Sequence, residues 1–147
     1  MENLKVLNSK DKKEILKILN EQYMSDFEFD YEVFINSKNK IFIMNRDLGK
    51  IDYKQLLVNS LGMYFGELRD SEIRLSIEAS QIVGKTAKKN VLELSDELAA
   101  KWMAGEDIEV DSDLYGFVII KNKDDFLGCG KISSKKLFNY VQKERRV

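Results

Sequence analysis

The sequence predicts an α+β fold: an N-terminal α/β unit over residues 1–87, then a small mixed β unit over residues 88–147. Three observations carry this. Ile15, Ile18, Leu19 and Tyr23 recur at three- and four-residue spacing, the mark of a helix with one apolar face. Ile73, Leu75 and Ile77 alternate with Arg74, Ser76 and Glu78, the period of a strand buried on one side. The run from Tyr115 to Ile120 is the strongest strand signal in the chain, and Lys85, Lys88 and Lys89 mark the junction between the two units.

In chain order, Asp11 to Tyr23 reads as the first helix, with Asp11 and Glu14 approximating a capping box. Two strands, Tyr31 to Ile35 and Lys40 to Met44, flank Asn36-Ser37-Lys38-Asn39, which suits a hairpin turn. A loop with Gly49, a short helix over Tyr53 to Asn59 and a strand over Leu61 to Glu67 follow. After the alternating strand of residues 73 to 77, Ala79 to Val83 reads as a short helix ended by Gly84. The second unit opens with a strand, Val91 to Leu94, and a helix capped by Ser95. Asp96 and Glu97 sit at the positive end of its dipole, and Gly105 stands where a left-handed residue stops it. Lys121 to Asp125 then turns the chain into a last strand, Phe126 to Ile132.

Composition excludes much chemistry. The 147 residues contain no histidine and one cysteine, so histidine zinc sites, histidine-activated nucleophiles, internal disulfides and cysteine clusters are all ruled out. The charged start at residues 1–9 lacks a signal-peptide core, and no run approaches the roughly 20 apolar residues of a membrane span. A cytoplasmic protein with no membrane partner is expected. Glu67, Asp70, Glu72 and Glu78 show neither a calcium-loop spacing nor a catalytic acid pair and read as solvated faces. No catalytic residue, metal site or cofactor is expected.

Charge is segregated. Residues 1–113 hold 16 Lys+Arg against 22 Asp+Glu, net -6, whereas residues 114–147 hold 8 against 3, net +5. Lys121, Lys123, Lys131, Lys135, Lys136, Lys143, Arg145 and Arg146 are the cations of that terminal region, a field that attracts phosphate if they converge. Between Lys131 and Arg146 they alternate with Phe138 and Tyr140, which suit base stacking, and with Asn139, which suits sugar or base edges. The same Leu137, Phe138, Tyr140 and Val141 equally suit closure of a core. Gly128 and Gly130 read as a crowded sheet bend or as a close approach for RNA backbone. Trp102, four residues after Leu98, reads as a core anchor or an open indole. Arg74 reads as a solubilising residue or a phosphate contact, and Cys129 as a buried small hydrophobe.

Leu94 to Gly105, Gly116 to Ile120, Leu127 to Lys131 and the tail from Leu137 to Arg146 resemble the PUA-like RNA-binding tail of the Fmu/Sun/Nop family of RNA 5-methylcytosine methyltransferases. Lys136, Asn139, Tyr140, Arg145 and Arg146 stand near that tail's lysine, asparagine, tyrosine and closing arginines. Phe138 departs from the lysine that precedes the asparagine. Tyr64 to Leu68 with Ile73 to Ala79 is similar to the strand pair of small ribosome-assembly factors that carry a pre-PUA unit before a PUA domain. The resemblance implies a pre-PUA-like α/β unit followed by a PUA-like mixed β-barrel, without the methyltransferase half and so without an enzyme's activity. It implies ribosomal or transfer RNA as ligand, in ribosome biogenesis with rRNA processing or in tRNA modification. The implied RNA-facing surface comprises Gly105, Gly128, Gly130, Lys131, Lys135, Lys136, Asn139, Tyr140, Lys143, Arg145 and Arg146, with Arg74 added from its polar-face position. The competing expectation is a protein-interaction adaptor bound to a ribosome-assembly or RNA-methyltransferase partner through the acidic first unit.

Overall fold

The computed structural model describes residues 4–29, 31–45 and 63–140. Its first sheet is a five-stranded antiparallel meander: β1 (Leu4–Val6), β2 (Tyr31–Asn36), β3 (Lys40–Asn45), β4 (Met63–Arg69) and β5 (Glu72–Leu75). Helix α1 (Ser9–Tyr23) lies between β1 and β2, and α2 (Ile77–Gly84) follows β5. The second sheet is mixed, in the order β6 (Val91–Glu93), β8 (Gly116–Asn122), β9 (Asp125–Ser133), β10 (Lys136–Phe138) and β7 (Ile108–Glu109), with β6 parallel to β8. Helix α3 (Asp96–Met103) connects β6 to β7. An N-terminal α/β region is thus followed by a mixed β-sheet.

Local chemistry shifts several boundaries. α1 starts at Ser9 because the Asn8 side chain accepts the Asp11 N–H at 2.9 Å; Asp11 lies inside the first turn and is not the cap expected from the sequence. The strand expected through Ile77 stops at Leu75, because Ser76 caps α2 by accepting the Ala79 N–H at 3.0 Å. α2 ends at Gly84, as expected, with Lys85 as its C-cap. A Cβ there would fall 2.5 Å from Phe126 Cδ1, so glycine is required for helix-to-sheet contact. The strands at 31–36 and 40–45, the Ser95 cap and the positive φ of Gly105 (92°) agree with expectation. The strand expected from Leu61 is seen from Met63, whereas the Gly49 loop and the helix expected over Tyr53 to Asn59 lie outside the described residues. Strands β1, β7 and β10 are too short for periodicity to reveal.

Two apolar clusters flank the second sheet. Phe117, Ile119 and Cys129 face the first unit and share a core with Leu19 and Tyr23 of α1, Phe65, Ile73 and Val83. Val118, Ile120, Ile132 and Leu137 face the other way, onto Trp102 and Ala99 of α3. β8 is therefore buried on both faces, which explains its unbroken Phe117-Val118-Ile119-Ile120 run. The lysine-rich junction is clamped: Lys88 N–H donates to Tyr23 O at 2.8 Å, Asn90 Nδ2 to Gln22 O at 2.6 Å, and Ser25 and Thr86 hydroxyls meet at 2.6 Å. Tyr23 Oη and Gln22 Nε2 both donate to Ile73 O, tying the end of α1 to β5. The β5 edge of the first sheet is thereby fixed to α1, and it lies against β8 and β9.

Candidate nucleic-acid interface

Residues 131–138 form a hairpin of β9 and β10, where the sequence alone shows a charged tail. Ser134 (φ 51°) and Lys135 (φ 61°) make its two-residue turn, both in the left-handed region that such turns demand. Register follows from the turn. Lys131 pairs with Phe138 on one side and with Phe117 of β8 on the other, and directly opposed residues share a face, so these three side chains form one row. Lys131 Nζ lies 5.3 Å from the Phe117 ring centroid, and Lys136 Nζ 5.5 Å from that of Phe138. Each distance is within cation–π range.

The chain after β10 carries Tyr140 back toward the first unit. Its ring centroid stands 6.2 Å from that of Phe117, and the Arg74 guanidinium lies over it at 4.7 Å. Arg74 is held by the β4–β5 hairpin, whose register opposes it to Glu67. Arg74 Nη2 is 3.4 Å from Glu67 Oε2, and Arg69 Nε donates to the same oxygen. Glu67 is thus buried and ion-paired, not the solvated residue expected from the sequence. That hydrogen bond raises the Arg69 pKa, and burial raises that of Tyr64 while nearby Arg74 pulls it down. The result is a row of cations and rings, Arg74, Tyr140, Phe117, Lys131, Phe138 and Lys136, that crosses from the first sheet to the second. Phe117 is its buried floor, whereas Phe138 and Tyr140 are 37% and 41% exposed.

Among the described residues, the other expected site residues separate from this row. Gly128 and Gly130 are buried: a Cβ on Gly130 would lie 2.7 Å from Trp102 Cη2 and 2.8 Å from Leu137 Cδ1, while Gly128 backs onto Ile77. Their burial matches the crowded-sheet reading. Asn139 braces α3, its Nδ2 donating to Trp102 O at 2.7 Å and to Glu106 O at 3.0 Å, and its N–H to Asp107 Oδ1 at 2.8 Å. Two of these acceptors are helix-terminal and loop carbonyls and the third is a carboxylate, so Asn139 ties the chain after β10 to the end of α3. Gly105 lies in that loop, its N–H donating to Trp102 O. Lys135 occupies the exposed hairpin tip, 3.6 Å from Asp111. Lys143, Arg145 and Arg146 lie outside the described residues.

Sequence reasoning missed Phe117, Arg69 and Glu67. Only the pairing of Glu67 with Arg74 was within reach: an Asp70-Ser71 turn between their segments places those two residues opposite one another. Phe117 was read only as strand core. Trp102 is fully buried, which settles it as an anchor.

Cys129 is buried, and burial pushes its thiol up to about 11, with Tyr23 Oη at 3.7 Å from its Sγ. It is expected to react with a thiol reagent at pH 8 only as fast as the protein unfolds, since the thiolate is the reactive form. Rapid labelling of native protein, followed by mass spectrometry, would contradict this. Among the described residues no three acidic or cysteine side chains are grouped to hold a metal, and no helix is long and apolar enough to cross a membrane.

The family model described as "Methyltransferase RsmF PUA domain" matches residues 89–147. The fold as a whole is similar to the crystal structure of a hypothetical protein from the hyperthermophilic archaeon Pyrococcus horikoshii OT3, with a TM-score of 0.60 and 13% identity over 99% of this chain and 100% of that one. No curated protein matches the chain. The mixed sheet, its α3 plug and the matched segment coincide, so residues 89–147 are a PUA-like domain carried behind an N-terminal α/β region.

Proposed function

We propose that the chain is an RNA-binding protein in which residues 1–87 act as a pre-PUA-like unit and residues 88–147 as the PUA-like unit that docks RNA. A PUA domain is a non-catalytic RNA-binding module, and the family that lends its name to the matched segment supplies the RNA context. Ribosomal or transfer RNA, met in the cytoplasm during ribosome biogenesis or RNA modification, is the ligand class that reading favours. Methyl transfer is not carried over, because the chain's one cysteine is a buried core residue with a raised pKa.

The single observation that carries the proposal is the row from Arg74 to Lys136, in which cations suited to phosphate lie beside two exposed rings suited to bases. Binding to a structured RNA is expected to weaken steeply with salt. The combined Lys131→Ala and Lys136→Ala substitutions are expected to lower the slope of log K against log salt by about 2. Fluorescence anisotropy across a salt series measures it. No binding at low salt, with a protein partner retained through complete nuclease treatment, would favour the adaptor function instead.

A further inference from the structure

We infer that this face takes unpaired nucleotides, with Tyr140 and Phe138 as its stacking platforms and the first unit taking part through Arg74, which positions the Tyr140 ring. The inference rests on the RNA-binding reading above and specifies its ligand. In a duplex the base faces are already stacked on one another, so an exposed aromatic ring gains little from it; loops, bulges and single strands offer free faces. Tyr140 and Phe138 are the two rings of the row left substantially open.

Tyr140 is not a loose surface ring. Arg74 covers it at 4.7 Å, Phe117 lies beside it at 6.2 Å, and Arg74 is itself anchored on the buried Glu67 carboxylate at 3.4 Å. A ring held on such a support loses less freedom when a base stacks on its open surface. Lys131 and Lys136 flank Phe138 and reach for phosphates on either side of it. Two strand spacings, about 10 Å, separate the β8 column beneath Tyr140 from the β10 column of Phe138, so a stretch of strand and not a lone nucleotide spans the row. Arg74 belongs to the N-terminal region, which makes the interface composite.

The test uses the full chain with a short oligouridine carrying a central 2-aminopurine, and a blunt RNA duplex of equal length. Wild type is expected to bind the single strand more tightly and to quench the 2-aminopurine. Tyr140→Leu is expected to weaken single-strand binding roughly five- to hundredfold with little change toward duplex. Tyr140→Phe should bind as wild type. At saturating protein, Arg74→Ala should lose part of the quenching and Arg74→Lys should restore some of it. Lys131→Ala should lower affinity but keep the saturating quench. Phe138→Leu repeats the Tyr140 test at a ring outside both apolar clusters, and so guards against a folding defect. If Tyr140→Leu and Phe138→Leu bind the single strand as wild type does, the stacking inference is overturned, even where the lysine substitutions still weaken RNA binding. If wild type binds neither RNA, the underlying reading falls with it.

Discussion

Trp102→Ala is expected to destabilise the protein by about 3–5 kcal/mol, the usual cost of deleting a fully buried aromatic side chain. Trp102 has no exposed surface and packs among Val118, Ile120, Ile132 and Leu137 on the inner face of the second sheet. Its Cη2 occupies the space that a side chain at Gly130 would need. Gly130→Val is accordingly expected to cost about 1–3 kcal/mol by overpacking, since the Phe138 carbonyl, 3.0 Å from a Cβ there, cannot rotate away as a side chain does. The two changes are coupled: valine fills part of the space that the indole vacates, so the double variant should be more stable than the sum of the single losses allows. Denaturant unfolding followed by circular dichroism measures this, because the chain has only one tryptophan. Strict additivity would mean that the two residues do not share this space.

Alkaline pH is expected to remove about 2–3 kcal/mol of stability through Cys129. Burial raises its thiol from 9.0 to about 11, and burial likewise raises the Tyr23 phenol well above its ordinary 10.0. The sign follows from proton counting. Between pH 9 and 11 the folded chain keeps the thiol proton while the unfolded chain releases it. Stability is therefore intact below the unfolded pKa, falls as pH rises beyond it, and stops falling on this account once the folded thiol ionises. Cys129→Ala should flatten the stability curve over that interval, and the remaining slope should include Tyr23. Parallel curves for the two proteins would show that the thiol is not held in the environment described.

Both predictions concern packing between elements distant in the chain, and this is where sequence reading reached its limit. The α1 periodicity, the Ser95 cap and the β8 run were legible because they depend on neighbours within a turn or a strand. The second reason for Gly84, the last residue of α2, was not: the ring of Phe126, 42 positions onward, lies where a side chain there would be. The hairpin of residues 131–138 was also hidden, because its turn uses Ser134 and Lys135 at positive φ without the glycine or asparagine that announces such turns.

The residues expected at the interface divide by where the fold places them. Lys131, Lys136, Tyr140 and Arg74 come together, but on a sheet face and a seam, not along a terminal arm. Asn139 turned inward onto the end of α3, and the glycines turned toward Trp102 and Ile77.

The amino-acid order by itself determined the α+β class, the helix with its Ser95 start, the segregation of cations toward the carboxyl end and the lack of histidine chemistry, because composition and short-range periodicity need no partner to act. Tertiary structure alone decided that Glu67 is buried between two arginines, that Arg74 supports Tyr140, and that Phe117 floors a row shared by both sheets. Those outcomes depend on strand register and on which face of each sheet is covered, and both are set only when segments far apart in the chain pack together.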